Sequence, residues 1–94
     1  MSVPPVTIQA PRAAASTVAA SATSAQSAAL SGRDIIVISP ADCFVLFGAN
    51  PTATTSCLLV PADTPIRFTN INGGEKFAVI LGSSTATVQY FEAL

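Results

Sequence analysis

Short apolar runs separated by turn residues characterise the chain from Arg33 onward. The runs IIVI, FVLF, CLLV and FAVIL are rich in β-branched and aromatic residues and are four or five residues long. Runs of this length and composition, bounded by Pro, Gly, Asn and Ser, predict strands. Turn signals recur every eight to twelve residues, as in small sandwiches and barrels. We therefore expect an all-β fold, a small antiparallel β-sandwich or barrel of about six strands.

Several of the predicted strands are apolar on both faces. In the run at 35–38, Ile35 and Val37 alternate with Ile36 and Ile38, so neither face is polar. A strand of this kind is buried on both sides, by a second layer or by a neighbouring subunit. The pattern therefore predicts a homo-oligomer.

Two further local patterns concern turns. Asn72-Gly73-Gly74 is the strongest hairpin signal in the chain, because these residues tolerate positive φ. Cys43 and Cys57 flank the loop NPTATTS, and a simple hairpin register would place them opposite one another. A disulfide there would close a loop of about fifteen residues and contribute about 3 kcal/mol. The alternative, which we favour, is two free thiols in a reducing compartment.

The N-terminal segment differs from the rest of the chain. MSVPPVTIQAPR contains three prolines, which fix φ and favour extended backbone. We expect residues 1–22 to form an extended arm or linker and residues 23–94 to form the β-module. The candidate partner-binding residues of the arm are Val3, Pro4, Pro5, Val6 and Ile8. The alternative is a disordered tail.

The Ala- and Ser-rich stretch between arm and module is ambiguous. Alanine favours helix, whereas the scattered Ser and Thr compete for backbone hydrogen bonds. Helix, linker and strand are all compatible with residues 13–30.

Composition limits the function classes. Half of the 94 residues are hydrophobic and 10% are charged, against about a quarter charged in ordinary soluble domains. We infer that much of the surface contacts other protein. The net charge of −1 favours neither nucleic acid nor an anionic membrane as a partner. No apolar run approaches a membrane span, and the N-terminus lacks the basic and apolar regions of a secretory signal. We expect synthesis in the cytoplasm.

The chemistry of the side chains argues against catalysis. The chain has no histidine, the commonest general base. Its acids occur singly, on different predicted turns, and are expected to be solvated charges at strand ends: Asp34, Asp42, Asp63, Glu75 and Glu92. Two cysteines without histidine do not complete a four-ligand zinc site. We expect no enzyme activity, no catalytic residue, no cofactor and no metal.

Three stretches resemble a group of small structural proteins of tailed-phage and prophage virions. They are TSAQSAAL, ADCFVLFGANPTATTSCLLVPADTPIRF and GEKFAVILGSSTATVQ. The resemblance spans residues 24–90, excludes the proline-rich segment, and favours a strand at TSAQSAAL. It implies a non-enzymatic virion component made in the bacterial host cytoplasm.

Within that class we expect a capsid decoration (cement) protein, bound to the major capsid protein or another virion protein. A trimer is favoured, because capsid lattices offer three-fold sites. The alternatives are a tail, fibre or head–fibre adaptor and a host-surface or carbohydrate-binding module. One Tyr and no Trp are a poor supply of aromatic rings for sugar stacking.

Overall fold

The structure, a computed structural model, describes residues 14–92, and within that range the chain is all-β. These described residues form eight strands and no helix. The strands are β1 (Ser16–Ala20), β2 (Ala25–Gln26), β3 (Ile35–Ile38), β4 (Cys43–Gly48), β5 (Leu58–Val60), β6 (Ile66–Phe68), β7 (Lys76–Leu81) and β8 (Ala86–Glu92). None of the described residues forms a helix long and apolar enough to cross a membrane.

The strands form two antiparallel sheets of four that face one another. Sheet I has the order β1-β8-β3-β6, and sheet II has the order β2-β7-β4-β5. The expected all-β class is therefore confirmed, and the architecture is that of a small β-sandwich. The two strands beyond the expected six are β1 and β2. Both come from the Ala- and Ser-rich stretch, where small side chains give little apolar alternation.

The core lies between the sheets and is built from alternate residues of the central strands. Val37 of β3, Val79 of β7 and Val88 of β8 are all 0% exposed. Phe77 is also fully buried, and its ring meets Tyr90 edge-on, with 4.9 Å between the ring centroids. Edge-to-face pairs contribute about 0.5–1.5 kcal/mol beyond the area they bury. These side chains fix which face of each sheet points outward.

Strand β1 lies inside the range that the sequence assigned to the arm. Ser16–Ala20 pairs with β8 in the register Ser16↔Tyr90 to Ala20↔Ala86. Val18 and Ala20 are buried in the core, at 5% and 2% exposure. These five residues therefore belong to the sandwich. The boundary at residue 22 is too late, because one valine and two alanines give only a weak strand signal.

The segment after β2 stays alongside β7, although the strand itself has only two residues. Backbone hydrogen bonds join Ser27 N to Phe77 O (2.8 Å) and Leu30 N to Glu75 O (2.7 Å). The buried Ser27 hydroxyl accepts a bond from Phe77 N and donates one to the Ala28 carbonyl. Within TSAQSAAL, therefore, only Ala25–Gln26 forms a strand, and the residues after it remain hydrogen-bonded beside β7, with Ser27 buried there.

Asn72-Gly73-Gly74 forms a turn but not the predicted hairpin. Glu75 N donates to Asn72 O at 3.1 Å, and Gly74 has a φ of +89°. Positive φ at the third position suits a type II turn. The flanking strands β6 and β7 lie in different sheets, so the turn connects the two layers. The hairpin prediction was wrong because turn residues determine only that the chain changes direction. They do not determine which strand pairs with which.

The outward face of sheet I is covered locally by its own side chains. Ile36 points away from the core yet is only 2% exposed. Its register partners are Arg67 on one side and Phe91 on the other. The Arg67 guanidinium is held by Asp34, with 2.9 Å between Nη2 and Oδ2. Strand β3 is therefore apolar on both faces without needing a neighbouring subunit there.

Candidate protein-binding surface

The outward face of sheet II carries a row of apolar side chains. Ile80 of β7, Phe44 of β4 and Leu59 of β5 are register neighbours, so they lie side by side across three strands. Phe44 and Ile80 are half-buried, and Leu59 is 45% exposed. We call these three residues the apolar row. Unlike Ile36, they have no covering arginine in their register.

The exposed large hydrophobic residues cluster on β4 and β5. Leu46 is 43% exposed, Leu58 is 62% exposed and Leu59 is 45% exposed. Leu46 and Leu59 point outward, whereas Leu58 is the register partner of the core residue Val45. Leu58 therefore lies on the inner side of the sheet, but at its open edge. Single exposed leucines are common, whereas three on adjoining strands indicate an interaction surface.

The loop between β4 and β5 is anchored to the sandwich. The Gln26 amide nitrogen donates to the Asn50 side-chain oxygen and to the Pro51 carbonyl, both at 2.8 Å. Ala53 N donates to the Ser24 hydroxyl at 2.9 Å. Pro51 and Ala53 are buried. The loop lies against the outward side of β2.

The burial of Ala78 shows how far the loop extends over the outward face of sheet II. It points outward from β7, between Gln26 and Leu46 in the register, yet it is 0% exposed. The loop held by Gln26 accounts for that burial. Further along β7, Ile80 is half-buried. The loop thus covers one end of the outward face and leaves the apolar row outside its cover.

Charge is absent from this part of the chain. Residues 43–62, which include β4, the loop and β5, contain no Asp, Glu, Lys or Arg. Charged residues are normally depleted from the centre of protein interfaces and common elsewhere on the surface. The uncharged segment therefore matches the composition of an interface core. The absence of charge can be seen in the sequence. The exposure of the leucines could be established only from the strand register.

The two cysteines are free thiols and do not face each other. Cys43 pairs with Val60 in the register, and both cysteines are free. Cys57 lies in the loop, where Thr54 N donates to its sulfur at 3.4 Å. The simple hairpin register was wrong because β5 begins only at Leu58. Burial raises the pKa of the Cys43 thiol above its usual value of 9.0, an effect that Ser39 partly offsets.

Most of the acidic side chains accept hydrogen bonds close to the ends of strands. Asp63 has a φ of 56° and its backbone nitrogen donates to Ser39 O at 2.7 Å. The other four carboxylates accept hydrogen bonds from Arg67 (Asp34), Ala62 N (Asp42), Asn72 N (Glu75) and Ser31 N (Glu92). Within residues 14–92 no three metal-ligating side chains come together. The described carboxylates therefore act as local structural groups.

A shallow, open depression lies beside the start of the β3–β4 connection. Its volume is about 290 Å³, at the lower end of the range for ligand pockets. The lining residues are Ile38, Ser39, Pro40, Asp63, Thr87 and Gln89. No aromatic ring lines it, so it offers no stacking platform for a sugar. It provides no observation in favour of the carbohydrate-binding alternative.

The proposed partner-binding residues of the arm, Val3, Pro4, Pro5, Val6 and Ile8, lie outside the described residues. Their role stays a prediction from sequence. Comparison with family models, with curated proteins and with solved structures finds no match to this chain. The surface itself therefore carries the functional argument.

Proposed function

We propose that this chain is a non-enzymatic structural protein of a tailed-phage virion. In this proposal it is a capsid decoration (cement) protein, made in the bacterial host cytoplasm, that binds the lattice of the major capsid protein and stabilises the head. The observation that carries the proposal is the uncharged β4–loop–β5 segment with its exposed leucines. Such a surface suits contact with other protein, and the resemblance of residues 24–90 to virion proteins is our reason for proposing a virion as the assembly.

The arm supplies the attachment in this proposal. Fifteen residues precede β1, and a fully extended segment of that length spans at most about 50 Å. Val6, Ile8 and Ala10 alternate with polar Thr7 and Gln9, a pattern that suits one apolar face. Prolines on both sides restrict the unbound chain and lower the entropy lost on docking. The sandwich then remains available for contacts between copies.

Co-sedimentation with particles that lack the protein tests this proposal. We expect the full chain to bind heads, and a chain beginning at Ala14 to bind at least tenfold more weakly. The triple variant V3S/V6S/I8S should lose binding like the truncation. The variant T7S/Q9S, in the same segment, should bind like the full chain.

Three outcomes would count against the proposal. Binding to tails but not to heads would identify an adaptor instead. No binding to any particle at tens of micromolar would overturn the virion assignment. Equal binding by the full chain and the truncation would show that the arm does not make the attachment.

A further inference from the structure

The four edge strands of the sandwich are not equally protected. Edge strands expose unpaired backbone groups, and natural proteins block them with charge, short length or a covering loop. Strand β6 carries the charged Arg67, paired with Asp34. Strand β2 has two residues and is flanked by the loop that Gln26 and Ser24 hold. Strand β1 begins at Ser16, two residues after the start of the described range, and carries no charged residue. Strand β5 is also short, with three residues followed by Pro61, but it has neither charge nor such a loop held along it.

The two leucines of β5 point to opposite faces of sheet II. Leu58 is on the side of Val45, and Leu59 is on the side of Phe44. A molecule resting on either face of the sheet would cover only one of them. A strand placed alongside β5 would contact both. The exposure of 62% and 45% at these positions therefore indicates a lateral partner.

We propose that β5 pairs antiparallel with β5 of a second copy. A two-fold axis beside Leu59 would place Leu59 next to its counterpart and Leu58 next to the counterpart of Val60. The apolar row of Ile80, Phe44 and Leu59 would then continue into the same row of the second copy. The two four-stranded sheets would join into one sheet of eight strands.

Charge favours a second copy as the occupant. Identical charged segments would repel when placed side by side, but residues 43–62 carry no charge. An isologous contact also uses the same exposed leucines twice. The other occupant to be tested is the N-terminal segment of the same copy, which leaves the sandwich at β1, near β2 and β7 and away from the β5 edge of sheet II. A chain beginning at Ala14 should therefore dimerise like the full chain; loss of the dimer on this truncation would overturn the pairing of β5 with β5.

The pair is expected to be weak in isolation. Strand β5 has only three residues, and a contact centred on it is smaller than the roughly 1,200–2,000 Å² of a standard stable interface. We therefore expect the dissociation constant to lie in the micromolar range or above. The proposed assembly is therefore a dimer with a two-fold axis, in contrast to the trimer expected from the three-fold sites of capsid lattices.

Sedimentation equilibrium between 1 and 300 μM tests the pairing. The unmodified chain should shift from monomer to dimer mass over this range. L58K and L59K should each remain monomeric, because each places two ammonium groups at the two-fold contact. The matched control is L46K: Leu46 is 43% exposed on the same sheet but lies on the central strand β4. L46K should dimerise like the unmodified chain.

Crosslinking provides a second measurement that does not depend on mass. Directly opposed residues of antiparallel strands have Cβ atoms about 4.5–5.5 Å apart. In a C57S background, L59C should therefore give a covalent dimer with a short bismaleimide, and L46C should not. Equal crosslinking of both would overturn the edge contact. So would a monomer at 300 μM, or a dimer that L58K and L59K leave intact.

Each variant is first checked for its thermal unfolding midpoint, so that loss of pairing is not confused with loss of folding. The inference is independent of the virion proposal. Dimers that bind no particle would leave it standing, and monomers that bind heads would overturn it alone.

Discussion

Cys43 and Cys57 show how a shift of three residues in strand register changes the environment of a side chain. Both were expected to be free thiols from the sequence, and both are free. Their environments differ because Cys43 is 0% exposed opposite Val60, whereas Cys57 is half-buried in the loop. Symmetry about the loop could not predict this, because the anchoring of the loop on β2 sets where β5 begins.

The difference predicts two rates of thiol modification. We expect one thiol per native chain, Cys57, to react promptly with a disulfide reagent at pH 8, because burial keeps Cys43 inaccessible and raises its pKa. In denaturant two thiols per chain should react. C57S should lose the fast phase, and C43A should keep it. Zero thiols in denaturant would show a disulfide, and two fast thiols would show that Cys43 is not protected.

At the scale of elements, the strands that the sequence predicted well are the β-branched and aromatic ones. IIVI, FVLF and FAVIL all fall within β3, β4 and β7. The small-residue strands β1 and β2 were ambiguous, since Ala and Ser bury little area and favour no period. The layer crossing at Asn72-Gly73-Gly74 was also not predictable, because strand pairing depends on long-range packing. The exposed edge at β5 could be identified only from the strand register together with the sheet order.

Two truncations test whether β1 belongs to the folded unit. A chain beginning at Ala14 should keep the thermal midpoint of the full chain within about 3 °C, because it retains every described strand. A chain beginning at Thr23 removes β1, with the buried Val18 and Ala20 and the ladder to β8. We expect a loss of at least 2–3 kcal/mol, given about 1.5–3 kcal/mol for one buried valine. A stable fold from Thr23 would contradict the assignment of β1 to the core.

At the scale of the whole molecule, low charge and an uncovered edge have a common explanation. A domain of about 80 residues buries only some 60% of its unfolded surface, so its own core contributes modest stability. In the two proposals, contacts between copies and with a lattice would add to that stability by mass action. The low charge of the sequence is the reason to expect such contacts, and the sheet order shows that β5 is an edge strand where one of them could form. The two proposals together require two separate surfaces: β5 for pairing between copies, and the arm for attachment to the particle.

This arrangement predicts that pairing strengthens attachment to particles. A pair carries two arms, and the second arm binds at an effective concentration near millimolar, which raises the apparent affinity by a hundredfold or more. L59K, monomeric but with an intact arm, should therefore bind heads on the order of a hundredfold more weakly than the unmodified chain, while L46K binds normally. At a concentration that saturates heads with the unmodified chain, the temperature of DNA release should rise for that chain and for L46K but not for L59K. If L59K binds and stabilises heads as well as L46K does, the sandwich attaches as single copies, and pairing plays no part in the function.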